Sequence, residues 1–153
     1  MFSAKSATLL ISRVSLEGDA VVGEVDLRVW GRLRSALLEL RDVKLRLTLS
    51  RRGQVVLAEG ELQVLGSVLC ERCLGAMPLS LRVPLRVGIG ESEAAVEALD
   101  PELDAVVAAN GILDLQTWLE DETLLALPMV PRCEIWVEGP CSVSNMVPPQ
   151  VTN

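Results

Sequence analysis

The sequence predicts an α+β fold: an antiparallel β-sheet meander or partial barrel, with short helices mainly in the C-terminal half. Three observations predict it. Apolar residues alternate at period two through much of residues 21–90, as half-buried strands require. Beyond Gly90 the spacing changes to three and four, the period of helices. The chain has 153 residues, 50% hydrophobic and 23% charged, which suits one domain with its own core and argues against disorder. That domain is expected over residues 1–147: strand-rich in 7–90, helical in 91–128, a cysteine-containing tail in 129–147. The last stretch, 148–153, opens with Pro148-Pro149 and is expected to be loose.

Val21, Val25, Leu27 and Val29 alternate as a strand. Leu33, Ala36, Leu37 and Leu40 then share one face of a helix predicted over Arg32 to Arg41. Val43, Leu45, Leu47 and Leu49 return to strict alternation, with Lys44, Arg46 and Thr48 on the other face. Arg51-Arg52-Gly53 reads as a hairpin turn, since glycine supplies the positive φ such loops need. One parity then runs from Val56 through Ala58, Leu62, Val64 and Val68 to Cys70. Gly60 and Gly66 lie on it, which predicts a strand that bends or bulges at a glycine. Leu79 to Ile89 alternate again, and Pro84, lacking an N–H, places this strand towards a sheet edge.

Past Gly90, Ser92 is the predicted cap of a helix over Glu93 to Leu99. Asp100-Pro101-Glu102 has the form of a helix start, and the helix is expected to carry Leu103, Val106 and Val107 and stop at Asn110-Gly111. Asp114 caps a third helix bearing Leu115, Trp118, Leu119, Leu124 and Leu125, which Pro128 ends.

Composition excludes several functions. The chain has no histidine and no tyrosine, and its aromatics are Phe2, Trp30, Trp118 and Trp136. Histidine-dependent nucleophilic catalysis, histidine-ligated metals and nucleic-acid platforms of stacked aromatics are therefore ruled out. The uncharged apolar stretch from Leu124 to Pro131 is broken by prolines and far short of the ~20 residues of a membrane helix. Only Lys5 and a brief apolar patch, Ala7 to Ile11, stand near the start, so no secretory signal is expected. Charge is uneven: residues 1–90 carry 13 Lys and Arg against 9 Asp and Glu, while residues 91–153 carry Arg132 against 12 acids. The acidic part repels bare RNA and membrane and attracts a basic partner; the N-terminal half retains cations for local phosphate contact. Either charge also serves simply to keep a surface hydrated.

The four cysteines carry the recognisable chemistry. Cys70 and Cys73 form a C-x2-C in Cys70-Glu71-Arg72-Cys73-Leu74-Gly75, between two predicted strands. A tight knuckle there points both sulfurs one way and turns backbone N–H groups towards them. Cys133 and Cys141 are able to complete an all-thiolate tetrahedron around Zn2+, at about 2.3 Å per bond. Such a site has no open position and is structural, clipping the hairpin to the tail. Three other readings stand beside it: a thioredoxin-like dithiol, disulfides, and buried cysteines that bind nothing. The strand-like residues after the motif weigh against the dithiol, which needs a helix N-terminus there. Glu120-Asp121-Glu122 suggests a carboxylate pair, but consecutive helix positions splay apart. A solvated acidic face, or a docking face for a basic partner, follows instead. Trp118, on the apolar stripe, is expected in the core; Trp136, in the cysteine loop, covers the metal site or meets a partner. Arg51-Arg52 is most simply an exposed hairpin tip.

Cys70-Glu71-Arg72-Cys73-Leu74 after a glycine-containing strand, Ile112-Leu113-Asp114-Leu115, Glu120-Asp121-Glu122, and Leu124-Leu125-Ala126-Leu127-Pro128-x-x-Pro131 with Cys133 beyond it resemble the YceD family, the large ribosomal RNA subunit accumulation proteins. The likeness covers roughly residues 42–141, and its most specific part is the acid-leucine-Pro-x-x-Pro stretch. It implies a cytoplasmic bacterial protein, not an enzyme, that supports 23S rRNA accumulation and large-subunit assembly. The implied partners are the pre-50S particle and a basic ribosomal protein or assembly factor, with direct rRNA contact left open and neither a membrane nor a small-molecule substrate. Cys70, Cys73 and Cys133 correspond to the family's metal ligands, and Arg72, Glu120, Asp121, Glu122 and Trp136 are the expected partner contacts. Many members carry a fuller cysteine cluster, with a second C-x-x-C-Gly; here only Cys133 and Cys141 follow the prolines. A dithiol redox protein using Cys70 and Cys73, and a simple RNA-binding module, are the alternative functions.

Overall fold

Strand pairing builds the molecule. The computed structural model describes Lys5 and residues 8–127. Its strands are β1 (Thr8–Leu10), β2 (Asp19–Glu24), β3 (Glu39–Arg52), β4 (Val55–Leu69), β5 (Ala76–Gly90), β6 (Asp104–Val107) and β7 (Ile112–Asp114). Three helices join them: α1 (Gly31–Ala36), α2 (Glu93–Leu99) and α3 (Leu115–Ala126). Five strands form one open sheet in the order β2-β3-β4-β5-β6, and β1 pairs with β7 in a small second sheet. The α+β class and the antiparallel meander β2-β3-β4-β5 are as the sequence predicts.

The alternating residues meet across the strands in register. Leu45 faces Leu62, which faces Val83; Val43 faces Val64, which faces Leu81. This side of the sheet is the main core, and α1, α3 and the β1–β7 pair close over it with Trp30, Leu33, Leu115, Trp118 and Leu119. Trp118 is buried, as expected of a residue on the apolar stripe. The opposite side is polar over most of its length. Arg82 reaches Glu61 at 3.7 Å and Arg86 reaches Glu59 at 3.6 Å, so part of the positive charge of the N-terminal half is neutralised between strands. At one end of this second face α2 covers Val55 and Leu57 through Val96.

Gly53 takes φ +64° in the two-residue turn between β3 and β4, as the hairpin requires. Gly60 has a different role from the one predicted. β4 passes through it without a register break, and a Cβ there would collide with the Arg46 carbonyl and lie 2.8 Å from Leu47 Cα. The glycine lets β3 approach closely. The irregularity lies on β3 instead, between Leu40 and Asp42, opposite Gly66 and Leu65. Pro84 sits where β6 does not reach, since β6 pairs only with Val87–Gly90; its missing N–H therefore interrupts no described pairing on that side.

Other elements depart from expectation. The strand predicted from Val21 to Val29 ends at Glu24, and Leu27–Val29 forms a 3-10 turn in which Asp26 accepts from the Arg28 N–H. The helix predicted to Arg41 stops at Ala36, because the following residues are drawn into β3 and the Leu38 N–H bonds the Ser67 carbonyl at 2.9 Å. The helix predicted from Asp100 to Asn110 does not form. The Asp100 carboxylate accepts from the Glu102 N–H at 2.9 Å, closing a local turn, and Asp104–Val107 becomes β6, parallel to β5. An available strand edge outweighs the helix-start signal: the β-branched Val106 and Val107 gain a ladder that an isolated helical turn lacks. The capping residues of the other two helices are correctly read. The Ala95 N–H donates to Ser92 Oγ at 3.2 Å, and the Thr117 N–H to Asp114 Oδ1 at 3.1 Å.

Candidate functional site

The cysteine motif occupies the tip between β4 and β5. The Cys70 N–H donates to the Gly75 carbonyl at 2.9 Å and the Leu74 N–H to the Cys70 carbonyl at 2.8 Å, which folds residues 70–75 into a compact knuckle. The Cys73 N–H points at Cys70 Sγ, 3.5 Å away. That contact gives the Cys70 sulfur one backbone amide donor. Cys70 is buried against the core and Cys73 is partly exposed. Leu74 takes φ +60°, an uncommon conformation for a leucine, and is 68% exposed. Glu71 and Arg72 are also exposed at the tip.

This donor set suits half of a thiolate metal site: two sulfurs at knuckle spacing, one already receiving an amide hydrogen bond. Among the described residues no cluster of three or more metal-ligating side chains occurs. Cys133 and Cys141, the expected second pair, lie outside the described residues, as does Trp136. The element following the motif is strand β5, so the helix dipole on which a thioredoxin-like dithiol depends is not there.

The second predicted site, Glu120-Asp121-Glu122 on α3, is used differently by its three members. Glu120 is 4% exposed. Its Oε1 accepts from Arg32 Nε at 3.0 Å, and its Oε2 accepts from the Leu33 backbone N–H at 3.0 Å, satisfying an amide in the first turn of α1. Asp121 is partly exposed and receives Arg32 Nη1 at 2.6 Å. Together they tie α3 to α1, so a solvated acidic face does not include Glu120. Nearby, the Trp30 indole N–H donates to Gln116 Oε1 at 2.8 Å in a fully buried contact. Burial holds the Glu122 carboxyl above its ordinary value; Trp118 opposes this, while Asp104 and Asp121 add to it. Trp118 Nε1 makes no hydrogen bond of normal geometry among the described residues.

The exposed acids lie elsewhere. Glu91, Glu93, Glu97, Glu102 and Asp104 are all exposed, on α2 and the segments that flank it, and Asp114 is exposed at the start of α3. Much of the acidic excess of the sequence lies in this region; of the acids at 120–122, Glu120 is buried while Asp121 and Glu122 are partly exposed.

The described chain thus joins a hairpin ending in a C-x2-C knuckle to a capped helix that an internal carboxylate ties to the N-terminal half. The family model described as large ribosomal RNA subunit accumulation protein YceD matches residues 58–150, and the chain belongs to that family. The match takes in most of β4, the knuckle and all of α3. The family is one of ribosome-assembly factors, concerned with large ribosomal RNA subunit accumulation and not known as enzymes. No curated protein and no solved structure matches the chain at a significant level. No helix among the described residues is long and apolar enough to cross a membrane.

Proposed function

We propose that this chain is a non-enzymatic factor supporting 23S rRNA accumulation and large-subunit assembly, acting as an acidic adaptor on a basic ribosomal protein or assembly factor in the cytoplasm. The observation that carries the reading is the family match over residues 58–150. Charge supports the adaptor role: five exposed acids on and around α2 provide a surface that attracts Lys- and Arg-rich partners. Cys70 and Cys73, with Cys133 and Cys141, would hold a structural Zn2+. Bound there, the metal would supply a cross-link between the hairpin tip and the tail. The Cys73 N–H directed at Cys70 Sγ supports this part of the reading. Arg72 and Glu71, exposed on the knuckle, would then face the partner beside Trp136.

The test is recovery of the tagged chain from cells by ribosome-gradient sedimentation and by pull-down at low and high salt. The expected result is precursor large-subunit rRNA and basic large-subunit proteins at low salt, reduced at high salt. Recovery of neither at low salt overturns the adaptor. Metal analysis of the same purified protein is expected to give about one zinc per chain, lost in Cys70→Ser.

A further inference from the structure

We infer that the free edge of β2 pairs with β2 of a second copy of this chain, antiparallel and centred on Val22, joining two sheets into one. This is independent of the proposed function. It rests on backbone groups that the fold leaves unbonded and on the self-complementarity of one strand.

β2 is outermost on one side of the sheet. Asp19, Val21 and Gly23 face Leu49, Leu47 and Leu45 of β3. One step further the Val25 N–H donates to the Val43 carbonyl at 2.9 Å, so the odd-numbered residues are the ones bonded to β3. The N–H and C=O of Ala20, Val22 and Glu24 therefore point away from the sheet, and no described residue bonds to them. The opposite side of the sheet is built differently. β6 is only four residues long, and α2 packs beside it. The Ala108 N–H donates to the Gly90 carbonyl at 2.7 Å, so the even-numbered residues of β5 face that way. Beyond the reach of β6 these include Pro78 and Pro84, which have no N–H to offer. Short strands and prolines protect a sheet edge from pairing. β2 has neither: Asp19–Glu24 is six residues without proline, its two charges stand at its ends, and Val22 between them is 67% exposed.

The strand is its own complement. Centred on Val22, the pairing sets Val22 against Val22, Ala20 against the second copy's Glu24, and Gly23 against the second copy's Val21. No acid meets an acid, and the outward groups exchange about six backbone hydrogen bonds. Two exposed apolar residues flank β2, Leu16 before it and Val29 after it. An antiparallel twofold brings the first end of one copy to the last end of the other, so each Leu16 approaches the second copy's Val29. Charge favours the same occupant. Arg46 and Lys44 lie directly beside Val22 and Glu24 on the exposed face, so a Lys- or Arg-rich strand is repelled there. A second β2 brings two carboxylates and no cation. The acids on and around α2 lie by β5 and β6, across the sheet from β2, so pairing leaves the proposed adaptor surface open.

The experiment is sedimentation equilibrium of the full chain, with amide hydrogen exchange followed by NMR. One strand pair buries less than the ~1,200 Å2 of a stable interface, so a transient dimer with Kd of roughly 10–100 µM is expected. The amides of Ala20, Val22 and Glu24 should gain protection as concentration rises through that range. Val22→Lys sets like charges opposite each other and should weaken association about tenfold or more, as should Val22→Glu. An equimolar mixture of the two variants should recover a dimer at least as tight as the parent's. Circular dichroism checks that the variants fold, and exchange in the parent chain decides the matter if they do not. A chain monomeric up to about 1 mM overturns the inference, the result expected of an edge reserved for a different protein. Protection of the three amides that does not change with concentration also overturns it, since another segment of the same chain then occupies the edge. A dimer that survives Val22→Lys, or a mixture that stays monomeric, overturns the pairing at Val22.

Discussion

The knuckle at residues 70–75 and the acidic run at residues 120–122 look alike in sequence, each a short polar motif beside an apolar run. Their environments differ. The knuckle sits on a hairpin tip, with one sulfur oriented by an amide and exposed residues around it. The acidic run spends its first two carboxylates on Arg32 and the Leu33 amide of another helix. Motif content alone does not separate a site from a strut; what decides is whether the polar groups are already satisfied within the fold.

Substitutions can break or sharpen this comparison. The largest effect is expected at Glu120. Glu120→Ala leaves the buried Leu33 amide without its acceptor and Arg32 with Asp121 as its one remaining carboxylate, and should cost about 2–4 kcal/mol of stability in urea unfolding. A loss below about 0.5 kcal/mol would show that the carboxylate belongs to a docking face after all. Gly60→Ala places a methyl against the β3 backbone and should destabilise by about 1–3 kcal/mol, measured in the same way. On the knuckle the sign reverses. Leu74→Gly relieves a left-handed leucine and should stabilise by up to about 1 kcal/mol, read as a higher melting temperature. If the same variant also weakens pre-50S recovery, the exposed leucine is a contact, and the comparison becomes sharper.

The smallest effect is expected at Glu122. Its folded-state pKa is raised, chiefly by burial, so the ionised form is disfavoured by folding. This group's contribution is most favourable below the ordinary carboxylate pKa and is lost as pH rises through the raised value. Glu122→Gln should therefore raise the melting temperature slightly at neutral pH, with the difference from the parent shrinking as pH falls towards 4. Because the side chain is only partly buried, the gain should be a fraction of a kcal/mol. A difference independent of pH would assign it to something other than ionisation.

Much of the fold was legible in the residues because its signals are local. The alternation of Val43 to Leu49 and Leu79 to Ile89, and the caps at Ser92 and Asp114, operate within a few residues and survive in the structure. Asp100-Pro101-Glu102 was misleading because a helix start and an Asx turn use the same acid-and-proline vocabulary. Only the free edge of β5 at Val87–Gly90 settles the choice in favour of β6. The β1–β7 pair has no signature in the apolar pattern for a related reason: three-residue strands carry too little periodicity to stand out. Of the candidate site, the C-x2-C knuckle was readable, since spacing itself imposes the turn. The free edge of β2 was not, because nothing in the sequence says which strand the fold leaves outermost.

By itself the sequence determined the antiparallel meander, two of the three helix caps' neighbourhoods, the knuckle and the likeness to the YceD family, since each depends on spacings of two to four residues or on motifs in order. Tertiary structure decided that Glu120 turns inward, that β6 runs parallel to β5, that Gly60 admits a neighbouring strand, and that β2 is left with a free edge. The physical reason is common to all four. Each depends on which partner a group meets across the fold, and competition for buried hydrogen bonds and free strand edges is resolved only when distant segments come together.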